Sequence, residues 1–216
     1  MSNGTKVKKR DGRIEPLDLD KMHLMVEEAC QGLAGVSASQ VEMKSGIQFY
    51  DGITTAEIQE ILIKAASDLI DLDHPNYQFV AARLLLFSLR KSLYGKMREL
   101  PDLETHINDC VGKEVYDSDI YTKYSKEEIE KVNSYIDHNR DFLFTYAGLR
   151  QVVDKYLVQD RSAGGVYETP QFMYIMIALT IFREYPKETR LSYVKRYYDA
   201  ISKHRINIPT PIMAGV

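Results

Sequence analysis

Apolar residues recur at helical spacing through most of this sequence, and that pattern restricts the chain to a mainly helical fold. In the first part of the chain it predicts four helices, each with a start or stop signal. Asp18 is a natural N-cap for the first, and Thr54 with Glu57 forms a capping box for the third. We expect the four helices at about 19–33, from Ser37 (boxed with Gln40) to the turn at 50–52, from Thr54 to Leu69, and at about 76–93. Later segments with helical spacing lie near 102–112, 125–135, 145–157, 169–183 and 187–203.

The segment before the first helix has the pattern of a β-hairpin. Residues 6–9 and 14–17 flank Arg10-Asp11-Gly12-Arg13, and an Asp-Gly pair favours a two-residue type I′ turn whose two central residues both have positive φ. Pro16 cannot donate to a strand ladder, so we expect the second strand at a sheet edge. A Gly-Gly pair within residues 159–165 predicts another hairpin later in the chain.

These elements predict two parts. Residues 1–95 are expected to form a compact unit, a hairpin on a four-helix cluster, and the polar, proline-ended stretch 96–101 indicates a boundary. Residues 96–216 are expected to form a second, mainly helical part. Its last stretch, 206–216, is apolar, β-leaning and bracketed by prolines, so we expect it to approach a buried strand.

Composition excludes several classes of protein. The net charge of −3 argues against a nucleic-acid or membrane surface built on bulk positive charge. The longest apolar run, 172–182, is far shorter than the ~20 residues that span a bilayer, and residues 1–6 contain no apolar signal region. The only cysteines, Cys30 and Cys110, form no zinc-ligand pair, CxxC motif or disulfide framework. These features predict a cytoplasmic protein.

Positive charge is concentrated in the hairpin, which carries five basic residues between positions 6 and 13. Lys21 lies one turn inside the first helix and Lys91 ends the fourth. Several converging Lys and Arg donors suit a triphosphate, while Glu15 and Asp18 could accept hydrogen bonds from the amino group of a base. Basic residues on an exposed hairpin are more often a solvated face, so charge alone leaves both interpretations open. The chain has neither a GxxxxGK[ST] nor a GxGxxG motif.

A family resemblance favours the nucleotide interpretation. The segment Val7-Lys8-Lys9-Arg10-Asp11-Gly12, then Glu15 and Leu19-Asp20-Lys21, resembles the opening of an ATP-cone, the allosteric nucleotide-binding domain of many ribonucleotide reductases. Residues 47–55, 63–66 and 77–84 continue the match. Residues 137–141, 155–158, 167–172, 193–198 and 209–215 are similar to the helical domain and barrel entry of the class I ribonucleoside-diphosphate reductase large subunit. The resemblance therefore covers essentially the whole chain.

The resemblance implies that ATP binds as an activator and dATP as an inhibitor, with Mg²⁺. The family positions that contact the nucleotide match Lys9, Glu15, Lys21, Thr55 and Lys91, and Arg10 lies beside it. Asp18 stands where an asparagine is common and Gln59 where a histidine is common. The first change removes an amide donor at the edge of the base, and the second removes a ring that could stack or face a phosphate. Discrimination between ATP and dATP is the property that these changes affect.

The fold implied by the resemblance is mainly α: an N-terminal ATP-cone followed by a helical domain that leads into the first strand of a ten-stranded α/β barrel. The family's catalytic cysteines would then lie on a separate or missing chain, whether this one is a natural half of a split subunit or a truncated form. Thr210 matches a residue that contacts the substrate diphosphate, although a strand-entry threonine between prolines explains it equally well.

The implied partners are the C-terminal remainder of the large subunit, the radical-generating small (beta) subunit and a second copy of the completed large subunit. Two alternatives remain open. One is a stand-alone nucleotide sensor, although sensors with ATP-cones that repress transcription carry a zinc ribbon of paired cysteines. The other is a helical module whose basic hairpin binds a protein.

Overall fold

The computed structural model describes residues 5–46, 49–160 and 164–214. Its contacts divide the chain into two compact units, the first within residues 1–89 and 144–150 and the second within 90–143 and 151–216. The elements of the first unit are β1 (Lys6–Lys8), β2 (Ile14–Pro16), α1 (Leu19–Cys30), α2 (Ala38–Ser45), β3 (Ile53–Thr54), α3 (Thr55–Ser67) and most of α4 (Tyr77–Tyr94). Those of the second are α5 (Leu103–Gly112), α6 (Ile120–Lys123), α7 (Lys126–Asn133), a 3-10 helix (His138–Leu143), β4 (Gln159–Asp160), β5 (Gly165–Val166), α9 (Pro170–Phe182), α10 (Lys187–Ser202) and α11 (Thr210–Ala214). Helix α8 (Tyr146–Lys155) contributes residues to both.

A three-stranded sheet of order β2-β1-β3 forms one side of the first unit. The predicted hairpin is confirmed: β1 and β2 are antiparallel, with Val7 opposite Glu15. Strand β2 is at the sheet edge, as Pro16 requires. The parallel strand β3 was not predicted; it pairs Ile53 with Val7. The residue before β3 is also held by β1, because the Gly52 N–H donates to the Lys6 carbonyl at 2.9 Å.

The type I′ turn predicted for the hairpin is wrong. Neither Arg10 nor Asp11 has positive φ, whereas Gly12 has φ of 87°. The Gly12 N–H donates to the Lys9 carbonyl at 3.0 Å, and the Lys9 N–H donates to the Arg13 carbonyl at 2.8 Å. The loop is thus a three-residue one, in which Gly12 takes the left-handed position that closes a bulge. This arrangement places Arg10 and Asp11 at the tip.

Local capping signals explain the starts of α1 and α3, whereas α2 ends at Ser45 and not at the predicted turn 50–52. The Asp18 carboxylate accepts the Lys21 N–H at 3.0 Å and starts α1. The Thr54–Glu57 capping box is formed in full at the start of α3. The box predicted for α2 is wrong, because the hydroxyl of Tyr77 stands in its place. That hydroxyl accepts the Ser37 N–H at 3.0 Å and donates to Gln40 Oε1 at 2.5 Å.

The core of the first unit is centred on α4, which is buried on nearly all sides. Such a helix cannot show one apolar stripe, since its neighbours cover it all round. Its fully buried residues include Tyr77, Val80, Ala81, Leu84, Leu86 and Phe87. The other elements of the unit contribute the buried residues Val7, Val26, Ala29, Val41, Ile53, Leu62 and Ala66.

The second unit is organised around α9. Every residue of α9 from Pro170 to Leu179 is buried except Met176, which explains the longest apolar run of the sequence. Helix α10 packs along α9. Phe172 of α9 stacks on the ring of His106, with centroids 4.0 Å apart. The helical segments predicted for this part are confirmed at α5, α7, α9 and α10, and the second hairpin at β4 and β5; residues 161–163 at its tip lie outside the described residues.

A buried network of polar side chains joins four elements of the second unit. Arg90, at the end of α4, donates to Asp141 Oδ2 at 2.9 Å and to the His138 carbonyl at 2.8 Å. Asp141 also accepts the Gln171 amide at 2.8 Å, and the Tyr198 hydroxyl donates to Gln171 Oε1 at 2.7 Å. The relative exposure of Arg90 is 5% and that of Asp141 is 1%. Every charge in this network is therefore compensated inside the protein.

The strand approach predicted for 206–216 is not observed. Residues 210–214 form the short helix α11, and residues 215–216 lie outside the described residues, so the described chain contains no barrel strand. Pro211 explains the difference. A proline needs no N–H partner in the first turn of a helix, and its fixed φ favours that position. The Pro209 carbonyl then accepts the N–H groups of Ile212 and Met213 at 3.0 and 3.3 Å.

Among the helices that the structure describes, none combines the length and the apolar character that crossing a membrane requires.

Candidate functional site

Two basic residues of the hairpin share one carboxylate. Lys9 Nζ lies 3.3 Å from Glu15 Oε2, and Arg13 Nη1 lies 3.0 Å from Glu15 Oε1. Arg13 also pairs with Asp11 at 2.7 Å. All four side chains are partly or largely exposed. Because exposed ion pairs contribute little free energy, these partners can be exchanged for another anion at low cost.

A second pair lies three residues further on, at the start of α1. Asp18 accepts the Lys21 backbone N–H through Oδ1, and its Oδ2 lies 3.1 Å from Lys21 Nζ. These two hydrogen bonds from Lys21 lower the pKa of Asp18, so the group is a carboxylate at neutral pH. An asparagine would cap the helix equally well. The aspartate therefore keeps the cap and adds a negative charge beside Lys21.

Arg10 differs from these cations in its partner. Its Nη2 donates to the amide oxygen of Gln59 at 2.9 Å, in a partly buried position. Burial lowers the pKa of Arg10, and within the described residues no carboxylate forms an ion pair with it. A partly desolvated guanidinium thus keeps its full charge at the tip of the hairpin.

Gln59 itself is buried, with a relative exposure of 4%. Its Oε1 accepts from Arg10 and from Ser88 Oγ, the latter at 3.3 Å, and its Nε2 donates to Met25 Sδ at 3.7 Å. Gln59 therefore connects the hairpin, α1, α3 and α4. Sequence reasoning missed these contacts, because all of its partners lie at least 29 residues away in the chain.

The remaining predicted residues occupy three places. Thr55 is the first residue of α3 and is half-buried, directly after the N-cap Thr54. Lys91 lies in the last turn of α4, in the part of that helix assigned to the second unit. Thr210 begins α11, and its Oγ1 lies 3.1 Å from the Tyr156 hydroxyl. The first unit thus contains Lys9, Arg10, Glu15, Asp18, Lys21, Thr55 and Gln59, and the second contains Lys91 and Thr210.

The second unit also contains a cavity of about 500 Å³ that sequence reasoning missed. Apolar residues of α9 and charged residues of α6 and the end of α8 line it. In its wall, the Glu168 carboxylate accepts the Val158 N–H at 2.7 Å and the hydroxyl of Tyr116. Burial raises the pKa of Glu168 to about 7. None of the residues predicted for a site lines this cavity.

Within residues 5–46, 49–160 and 164–214, no cluster of three His, Cys, Asp or Glu side chains could hold a metal ion. Burial raises the pKa of Cys30 to about 11 and that of Cys110 to about 12, so both are protonated thiols at neutral pH.

Comparison with known protein families places two domain models on this chain. Residues 5–92 match the ATP cone domain, and residues 142–216 match the all-alpha domain of ribonucleotide reductase. Ribonucleoside-diphosphate reductase 1 subunit alpha of Escherichia coli (strain K12) is 50% identical over all 216 residues, which are 28% of its own length. The ribonucleoside-diphosphate reductase subunit alpha of Haemophilus influenzae is also 50% identical over all 216 residues, which are 28% of its length. That of Enterobacteria phage T4 is 42% identical over 209 residues, which are 27% of its length. The chain thus spans little more than a quarter of the relatives that it matches.

Proposed function

We propose that this chain is the regulatory N-terminal part of a ribonucleotide reductase alpha subunit. It matches the ATP cone domain and then the all-alpha domain of ribonucleotide reductase. Over its whole length it also matches the N-terminal part of reductase alpha subunits. It binds ATP and dATP as allosteric effectors at the hairpin. In this role it regulates the reduction of ribonucleoside diphosphates to deoxyribonucleoside diphosphates for DNA synthesis. We assign the ATP-cone to residues 1–95 and the helical domain to 96–216.

The observation that carries this proposal is the uncompensated charge of Arg10. Lys9, Arg13 and Lys21 are already paired with carboxylates, whereas Arg10 is held by a neutral amide and is partly buried. A cation in that setting gains most from an anionic ligand, because charge-assisted hydrogen bonds are strong where water is partly excluded. Phosphate oxygens meet this requirement.

The neighbouring residues complete the site in our proposal. Lys9 and Lys21 exchange their carboxylate partners for phosphate oxygens, which leaves Glu15 and Asp18 available to the amino group of the base. Thr55 and Lys91 contact the nucleotide from α3 and α4. Mg²⁺ would be held by the phosphate oxygens rather than by a protein cage, in keeping with its preference for few protein ligands.

We place the catalytic chemistry outside this chain. Cys30 and Cys110 are high-pKa thiols set in the two units, which suits packing rather than a redox-active pair. The catalytic cysteines would reside in the C-terminal remainder of the large subunit. The other proposed partners are the radical-generating small (beta) subunit and a second large subunit, in the cytoplasm. In the assembled enzyme, Thr210 would contact the substrate diphosphate.

The reductase all-alpha domain distinguishes this proposal from a stand-alone nucleotide sensor, which has no use for it. It also gives residues 142–216 a role that an interaction module built on the hairpin would not need.

The Arg10→Ala substitution is expected to weaken ATP binding by about 10- to 100-fold, because a hydrogen bond to a charged group contributes about 1.5–3 kcal/mol. Lys9→Ala should weaken it less, since that side chain already has a carboxylate partner in Glu15. Isothermal titration calorimetry with ATP and dATP measures both.

Lys64→Ala is the matched control, because Lys64 forms a similar exposed pair with Asp68 in the same unit. It should leave the affinity unchanged. Wild-type protein that ignores millimolar ATP, or a Lys9→Ala/Arg10→Ala variant that binds like the wild type, would contradict the proposed site.

A further inference from the structure

Gln59 holds the Arg10 side chain in place without neutralising it. The two residues come from different elements, 49 positions apart, and their hydrogen bond fixes the tip of the hairpin against α3. The acceptor is an amide oxygen, which has a dipole but no net charge. Every other described partner of the basic residues in this region is a carboxylate, at Asp11, Glu15 and Asp18.

The surroundings of Gln59 keep its side chain from reaching a ligand. It is 4% exposed, and both ends of the amide are occupied by protein groups. Ser88 and Arg10 share the oxygen, and Met25 faces the nitrogen. The amide oxygen must face Arg10, because a flipped amide would place its N–H donors against the N–H donors of the guanidinium.

We propose that Gln59 is a positioning residue that presents Arg10 as an uncompensated cation, so that the side chain at position 59 sets the affinity of the site for phosphate without touching the nucleotide. This inference rests on the proposed binding of ATP. It differs from a direct contact between position 59 and the nucleotide, which the family resemblance implies. Since Arg10 engages phosphate in this scheme, Gln59 affects ATP and dATP equally.

The Gln59→Glu substitution tests the charge argument at nearly constant side-chain size. A carboxylate at this position would pair with Arg10 and cancel its charge. ATP and dATP affinities are each expected to fall by at least 10-fold, with an unchanged ratio between them. The salt dependence of binding should also fall, because one fewer net charge attracts the phosphates. Calorimetric titration of the purified chain at several salt concentrations measures all three quantities.

Gln40→Glu is the control for added charge. Gln40 lies in the same unit and also accepts a hydrogen bond through its amide oxygen, but from Tyr77 rather than from an arginine. It should change ATP affinity by less than about threefold, in keeping with the small effect of an exposed charge.

Gln59→Leu, alone and combined with Arg10→Ala, keeps the inference testable if Gln59→Glu fails to fold. Alone, it frees Arg10 but leaves its charge, so affinity should fall a few-fold while the salt dependence stays as in the wild type. In the Arg10→Ala background it should have no further effect on ATP binding, since a positioning residue has nothing left to position.

The outcomes separate this inference from the proposed function. If the wild type binds ATP but a folded Gln59→Glu variant binds equally well, the inference is wrong and the function stands. The same holds if Gln59→Leu weakens binding equally with and without Arg10, or alters the ratio of ATP to dATP affinity. If the wild type fails to bind ATP, the proposed function fails and the inference with it.

Discussion

The Asp141→Ala substitution is expected to lower the free energy of unfolding by about 3–5 kcal/mol, the cost of leaving a buried charge without its partner. Asp141 is 1% exposed, and its two oxygens accept from Arg90 and Gln171. Removing the carboxylate leaves a guanidinium and an amide facing a cavity. Urea denaturation followed by far-ultraviolet circular dichroism measures the loss.

Two comparisons show whether the buried pair causes this loss. Asp68→Ala breaks the exposed pair with Lys64 and should cost less than about 1 kcal/mol. Arg90→Met/Asp141→Leu removes both charges together and should be less destabilising than Asp141→Ala alone, because no unpaired charge remains. A loss below 1 kcal/mol for Asp141→Ala would show that Arg90 finds another partner or water.

The Glu168→Gln substitution is expected to stabilise the protein by about 3 kcal/mol above pH 7 and by little below pH 4.5. Burial raises the pKa of Glu168 from 4.5 to about 7. Between these values the unfolded chain releases a proton that the folded chain keeps, so the stability contributed by the protonated group is lost as the pH rises. At about 1.4 kcal/mol per pKa unit, the full difference is about 3 kcal/mol. The glutamine oxygen can accept the Val158 N–H and its amide nitrogen can donate to the Tyr116 hydroxyl oxygen, and the side chain never becomes charged.

The measured quantity is the difference in free energy of unfolding between this variant and the wild type, from pH 4 to pH 8. The difference is needed because two histidines, His106 and His138, act in the opposite direction. Burial lowers the pKa of His106 and of His138 to about 4, so each destabilises the fold as the pH falls below 6.5. Both histidines are present in the wild type and in the variant, so their contributions to the free energy of unfolding largely cancel in the difference. Glu27→Gln, at an exposed position, controls for the change in net charge. A difference that does not grow between pH 4.5 and 7 would show that the pKa of Glu168 is not raised in the folded protein.

Local signals predicted the helices of this chain, because caps and glycines act within a few residues. Asp18 caps α1 and the Thr54–Glu57 box starts α3, and both are written in adjacent sequence. The failures involve partners distant in the chain or a choice between two local geometries. Tyr77 reaches α2 from about 40 residues away, and β3 is only two residues long and pairs in parallel with β1. An Asp-Gly pair is compatible with loops of two or three residues, so sequence alone could not choose between them.

The candidate site follows the same division. Charge density drew attention to the hairpin, and the family resemblance named the individual residues. What sequence could not supply is which cations are already neutralised, because that depends on which carboxylates the fold places beside them. The neutral partner of Arg10 and the raised pKa of Glu168 are consequences of burial, which no local pattern encodes.

Strand β3 ends at Thr54 and α3 begins at the next residue, so no loop residue lies between this strand and the helix. Strand β3 pairs with β1, and β1 leads directly into Lys9 and Arg10. We therefore expect a shift of β1 to displace α3, whose 13 residues span about 20 Å at 1.5 Å per residue. A small rotation of α3 about its junction with the sheet would displace the far end of the helix more than its start.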